Sequence, residues 1–94
     1  MAVIYNRENF LWNNRVVGFT DSAKNHLEEF KLDVYEIIDM LRHSFDCPEQ
    51  RRHRRTEIEK CSNKRGKIFR IILFDDFCYV YNEECWCVKH VEPI

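Results

Sequence analysis

Apolar and polar positions change their rhythm near the middle of this 94-residue chain. In the first half the apolar residues recur at helical spacing. Ala23, Leu27 and Phe30 follow Thr20 and Asp21, whose side-chain oxygens can accept from the unpaired amides of a first turn. This predicts a helix over about 21–30. Asp33 and Glu36 then stand at capping-box spacing, with Leu32 and Ile37 at the two staple positions around them. Val34, Ile37, Ile38, Leu41 and Phe45 trace one apolar face, while Glu36, Asp39 and Arg42 point away from it. Cys47-Pro48 ends this second helix, because the residue before proline disfavours the helical region. The join at Lys31-Leu32 is tight, so the two helices form a hairpin.

From Thr56 onward the pattern is that of strands. Thr56–Cys61 alternates, and Ser62–Gly66 has the composition of a turn. Lys67–Phe74 is apolar on both faces, which places it centrally in a sheet. Asp75-Asp76 and Asn82-Glu83 read as turns around two further strands, Phe77–Tyr81 and Glu84–Val91. At the N-terminus Ala2–Tyr5 reads as a short strand, and Phe10, Leu11 and Trp12 supply apolar anchors. The expected fold is α+β: one domain over residues 1–94, with a two-helix hairpin packed on a four-stranded antiparallel sheet, or a five-stranded one if Ala2–Tyr5 joins it.

Composition narrows the function classes. No run approaches the roughly 18 apolar residues of a membrane helix. Met1–Asn14 lacks a basic stretch followed by an apolar core, so no signal peptide is expected. A soluble, cytoplasmic protein without a membrane partner is the expectation. The five cysteines (Cys47, Cys61, Cys78, Cys85 and Cys87) are odd in number, which without a secretion signal argues against a disulfide framework.

Charge adds what hydropathy does not show. The net charge is −1, but residues 42–70 hold ten Lys/Arg against four Asp/Glu, a surplus of six. Arg51, Arg52, Arg54 and Arg55 crowd the connection after the second helix. Lys60, Lys64, Arg65 and Lys67 continue along the first hairpin. Such a cluster binds polyanions through phosphate contacts and counterion release. The plainer alternative is a solvated face, or pairing with the acidic helices.

Two constellations carry candidate chemistry. Cys85, Cys87 and His90 have the look of metal ligands, but on one regular strand the two cysteines share a face and His90 takes the other. The cysteines read instead as small apolar core residues, and no metal or cofactor is expected. A cysteine nucleophile is equally unsupported, since no base stands near Cys47 in sequence. Arg70 interrupts an apolar strand, which is costly unless it is paired or opens onto a site. With Glu59 on the neighbouring strand and His90 on the last, it forms a set in which a carboxylate takes a ribose 2′-OH proton, the guanidinium steadies the phosphorane and the imidazole protonates the leaving oxygen. The alternative is a satisfied ion pair between Arg70 and Glu57 or Glu59, with His90 an ordinary strand-end residue.

Residue patterns over roughly 19–91 add a resemblance. They are Phe19-Thr20-Asp21-Ser22-Ala23, Leu32 with Asp33-Val34-Tyr35-Glu36-Ile37-Ile38, Arg54-Arg55, Gly66-Lys67-Ile68-Phe69-Arg70 and Trp86-Cys87-Val88-Lys89-His90-Val91. Together they resemble the RelE/ParE toxin superfamily, and within it the BrnT-like branch. Relatives often carry a histidine just before the alanine of the first helix; this chain has Ser22 there, and His26 one turn on. The resemblance implies a RelE-like fold and a metal-independent endoribonuclease acting on RNA or ribosome-bound mRNA, restrained by an antitoxin protein. It makes Glu59, Arg70 and His90 the corresponding site residues. The other reading is a non-catalytic module of the same fold that binds nucleic acid or an acidic protein.

Overall fold

A computed structural model describes residues 3–4, 8–49 and 56–94. Arg51, Arg52, Arg54 and Arg55 lie outside the described residues. In chain order the elements are β1 (Val3–Ile4), a 3-10 turn (Glu8–Phe10), β2 (Leu11–Trp12), β3 (Arg15–Phe19), α1 (Asp21–Glu29), α2 (Val34–Arg42), β4 (Glu57–Lys64), β5 (Lys67–Cys78) and β6 (Glu83–Pro93). The class is α+β, two helices on a sheet, as expected.

Both helices begin where their caps predict. The Thr20 hydroxyl accepts from the Ala23 amide at 3.0 Å. Asp33 and Glu36 close the capping box, at 2.7 Å from the Glu36 amide and 3.2 Å from the Asp33 amide. α1 ends in a Schellman turn: Leu32 donates to the Leu27 carbonyl and Lys31 to that of Glu28, with Lys31 at φ 56°. That turn is the tight join of the hairpin. α2 stops at Arg42, short of the expected end at Cys47. Phe45 leaves the helix to pair with Cys61 as an isolated antiparallel bridge.

The sheet runs in the order β1-β3-β6-β5-β4, with β2 a second partner of β3. β4, β5 and β6 form an antiparallel meander of three long strands rather than four. The β4–β5 turn shrinks to Arg65-Gly66, both at positive φ, as a two-residue hairpin loop requires. Asp75-Asp76 makes no turn: β5 runs straight through it to Cys78, and the chain reverses at 79–82. The strand added from the N-terminus is chiefly β3, which lies parallel to β6, so the whole sheet is mixed. Val3–Ile4 pairs on the outer side of β3.

Side chains of odd-numbered β5 residues face the helices. Phe69, Ile71 and Leu73 join Val88 and Val91 of β6, Phe19 of β3, Ala23 and Leu27 of α1, and Ile37 and Leu41 of α2 in one buried core. The other face of β5 is buried as well, at Arg70 and Ile72. Part of its cover is the chain leaving α2, which is bonded to β4 by a disulfide between Cys47 and Cys61. This pairing overturns the expectation of no disulfide. Cys47 and Cys61 are far apart in pattern, and only the Phe45–Cys61 bridge brings them together. Cys78, Cys85 and Cys87 are buried free thiols, in keeping with the reading of these three as core residues.

The bridge closes a loop of 14 residues, so removing it in a Cys47→Ser/Cys61→Ser variant is expected to cost about 3 kcal/mol in urea unfolding. Thiol counting checks the pairing directly. Unfolded, unreduced protein should titrate three thiols and reduced protein five; five in both states would refute it.

Candidate functional site

The face of the sheet away from the helices carries a chain of charges. Arg70 sits opposite Cys61 on one side and Glu92 on the other, and Ile72 sits opposite His90. The residues chosen from the sequence therefore share one face. Arg70 Nε lies 3.5 Å from Glu59 Oε2, its Nη1 lies 3.5 Å from Glu92 Oε1, and its Nη2 donates to the Glu49 carbonyl at 3.3 Å. The Nε contact is one of charge only, because that N–H has no hydrogen-bond acceptor. Glu59 presents no side-chain surface to solvent, and Arg70 presents 7%. Neither can touch a substrate directly. They form a buried ion pair, as in the alternative reading of Arg70, extended on the far side to Glu92, though the Nε–H is left without an acceptor.

His90 is different. A register shift between Ile72 and Leu73 leaves Lys89 as the extra residue of β6. That bulge turns His90 onto the face of Cys87 and Arg70, not the opposite face that a regular strand predicts. About a third of its side chain is exposed, and its Nε2 lies 3.3 Å from Glu92 Oε2. Beyond Phe19, β3 no longer covers the edge of β6, and α1 lies there instead. The Val91 amide donates to His26 Nδ1 at 3.4 Å, and the rings of His26 and His90 meet edge to face at 4.3 Å. His26 thus belongs to the site. Its only signal in sequence was its place one turn after Ser22.

His90 turns Nε2 toward the Glu92 carboxylate at 3.3 Å, which leaves Nδ1 on the other side of its ring. His26 accepts at Nδ1 from the Val91 amide, so its Nε2 is the nitrogen left for another partner. Lys89 stands beside them, bonded to Glu57 at 2.8 Å.

Bringing His90 to the side of Cys87 does not make a metal centre. Among the described residues no group of three His, Cys, Asp or Glu is placed to hold an ion. The thiols also stay protonated. Burial first, and the Asp76 carboxylate second, push Cys85 up to about 11 and Cys87 up to about 12.

The basic residues divide. Lys60 Nζ bonds Asp46 at 2.8 Å, and this contact, by hydrogen bond and then by charge, lowers the Asp46 carboxyl below its ordinary range. Arg65 and Lys64 reach Glu36 at 2.9 and 3.5 Å, fastening the β4–β5 turn to the start of α2. Lys31 and Lys67 have no ion-pair partner among the described residues. These last four surround a groove of about 280 Å³ floored by Phe30, Leu32 and Phe69. Lys67 lies five residues along β5 from the partner of His90, roughly 17 Å.

No protein-family model, curated protein or solved structure matches the chain. Nor is any described helix long and apolar enough to cross a membrane.

The raised thiols predict a pH dependence. An unfolded cysteine ionises near 9, whereas Cys85 and Cys87 hold their protons to about 11 and about 12. Above pH 9 the unfolded chain releases these protons first, so their contribution to stability is level below about 9 and falls from there toward 11. Urea midpoints across this range should fall less steeply in a Cys85→Ala/Cys87→Ala variant. Parallel curves would refute the assignment.

Proposed function

We propose that this domain binds RNA and cleaves it by attack of a ribose 2′-OH on the adjacent phosphate, without a metal ion. The observation that supports this most is the His26–His90 pair, two imidazoles in contact at a strand edge with Glu92 beside His90. His90 Nδ1 takes the 2′-OH proton as the 2′-oxygen bonds to phosphorus. The imidazolium so formed returns that proton to the departing 5′-oxygen, and His26 packs against the ring and holds it. The products are a 2′,3′-cyclic phosphate and a 5′-hydroxyl. Glu92 orients His90, and Arg70, held by Glu59, orients Glu92. This gives Arg70 and Glu59 positioning roles in place of the direct ones first assigned to them. Lys31, Lys64, Arg65 and Lys67 contact the phosphates of neighbouring nucleotides. Arg51, Arg52, Arg54 and Arg55 add positive charge for the same polyanion.

The RelE/BrnT-like patterns of the sequence support the same reading, and with it a ribosome-bound mRNA substrate and a restraining antitoxin protein. A cytoplasmic location belongs to this proposal too. It would expose the Cys47–Cys61 bridge to a reducing compartment.

One observation favours a second reading. Arg70, between two carboxylates, has little charge left for a phosphorane, as expected of a module that binds nucleic acid without cutting it.

Cleavage of free and ribosome-bound RNA separates the two. Wild-type protein should yield 2′,3′-cyclic ends in the presence of a chelator. His90→Ala should lose roughly 100-fold or more in kcat, and His26→Ala should lower kcat less and leave KM. Glu92→Gln should lower kcat and leave KM, while Lys67→Ala should raise KM and leave kcat. Folded wild-type protein that binds RNA salt-dependently but never cuts it would establish the second reading.

A further inference from the structure

β5 joins two unlike ends of the molecule. Twelve residues of strand span roughly 36–40 Å, comparable to the longest dimension of the fold at 36 Å. At its start lies the groove floored by Phe30, Leu32 and Phe69, with the unpaired ammonium groups of Lys31 and Lys67 on its rim. At its finish lies the β5–β6 hairpin tip, apolar and acidic. Tyr79 and Val80 are 79% and 81% exposed, and Phe77 is 39% exposed.

Phe77 and Tyr79 meet edge to face at the tip, at 5.0 Å. Asp75, Asp76 and Glu84 line a shallow open depression beside Phe77. Arg15 is shared by Asp75 and Glu84, at 2.7 and 2.8 Å. Asp76 accepts from the Phe77 amide and has no ion-pair partner among the described residues. Three carboxylates against one guanidinium leave the tip negative where the groove is positive. Apolar surface exposed at a hairpin tip and rimmed by charge is the mark of an interaction site. Here the complementary surface is carried by the same chain.

We propose that the hairpin tip of one copy docks in the Lys31/Lys67 groove of a second copy. Tyr79 lies over the apolar floor, and Asp76 meets the two lysines. The groove's volume suits one aromatic side chain rather than a whole ligand. The two surfaces differ, so the contact is heterologous: a docked pair keeps one tip and one groove free, and assembly continues into a ring or a filament. This goes beyond the RNA reading and does not rest on it: tip and RNA phosphates exclude each other at this groove, so self-association and RNA binding compete.

Sedimentation of the full chain over a concentration series tests it. At roughly 20 mM salt the mass should grow past that of a dimer with concentration, and roughly 500 mM salt should suppress the growth. A tip variant, Tyr79→Ser/Val80→Ser, and a groove variant, Lys31→Glu/Lys67→Glu, should each be monomeric alone. Mixed, they should form a one-to-one dimer and nothing larger, because each retains one intact surface. The proposal is overturned if wild-type protein stays monomeric at low salt, if either variant associates alone, or if the mixture does not pair. The salt series on wild-type protein tests it without any substitution.

Discussion

A guanidinium buried in the middle of a twelve-residue strand must be neutralised on every side, and much of this fold is arranged around that need. Arg70 draws Glu59 from β4 and Glu92 from β6 onto one face, which fixes the register of the meander where it is least exposed. It also takes the Glu49 carbonyl, fastening the chain that leaves α2 across the sheet, beside the Cys47–Cys61 bridge. A buried ion pair of this kind contributes little net stability compared with apolar packing. Its effect here is positional. Glu92, once held by Arg70, has its second oxygen left for His90, and the core beneath never touches the chemistry above it.

The two helices were legible because each is announced by local chemistry. Thr20 and the Asp33/Glu36 box act within a single turn, and nothing distant competes with them. The end of α2 was not legible, because Phe45 is removed from the helix by a strand some sixteen residues later. Asp75-Asp76 misleads for a similar reason. Two adjacent acids look like a turn, yet Asp75 is tied to Arg15 of β3, a partner sixty residues away. β3 itself carries too short an apolar run to stand out, and it is buried only because β6 lies parallel beside it.

The candidate site shows the same division. Arg70 attracted notice because a charge among apolar residues demands a partner, and the strand carrying Glu59 was within reach of the pattern. His90 shares the face of Arg70, which regular alternation did not predict, since one extra residue at Lys89 reverses it. His26 comes from a helix and meets His90 only where β3 stops short. The +6 stretch also changed in meaning. Part of its charge is spent on Glu36 and Asp46, and what remains on the described surface gathers at one end of β5, opposite an acidic aromatic tip. The chain is thus polar along its length, which whole-chain neutrality conceals.

The central claim is that the buried Arg70 charge and its carboxylates act as one unit. A double-mutant cycle in urea measures this most directly, with wild type, Arg70→Met, Glu59→Gln and the double variant. Removing one member of a buried pair should cost about 3–5 kcal/mol. The double variant should recover part of that loss, with a coupling of about 1 kcal/mol or more. Losses that simply add, to within about 0.5 kcal/mol, would contradict the account.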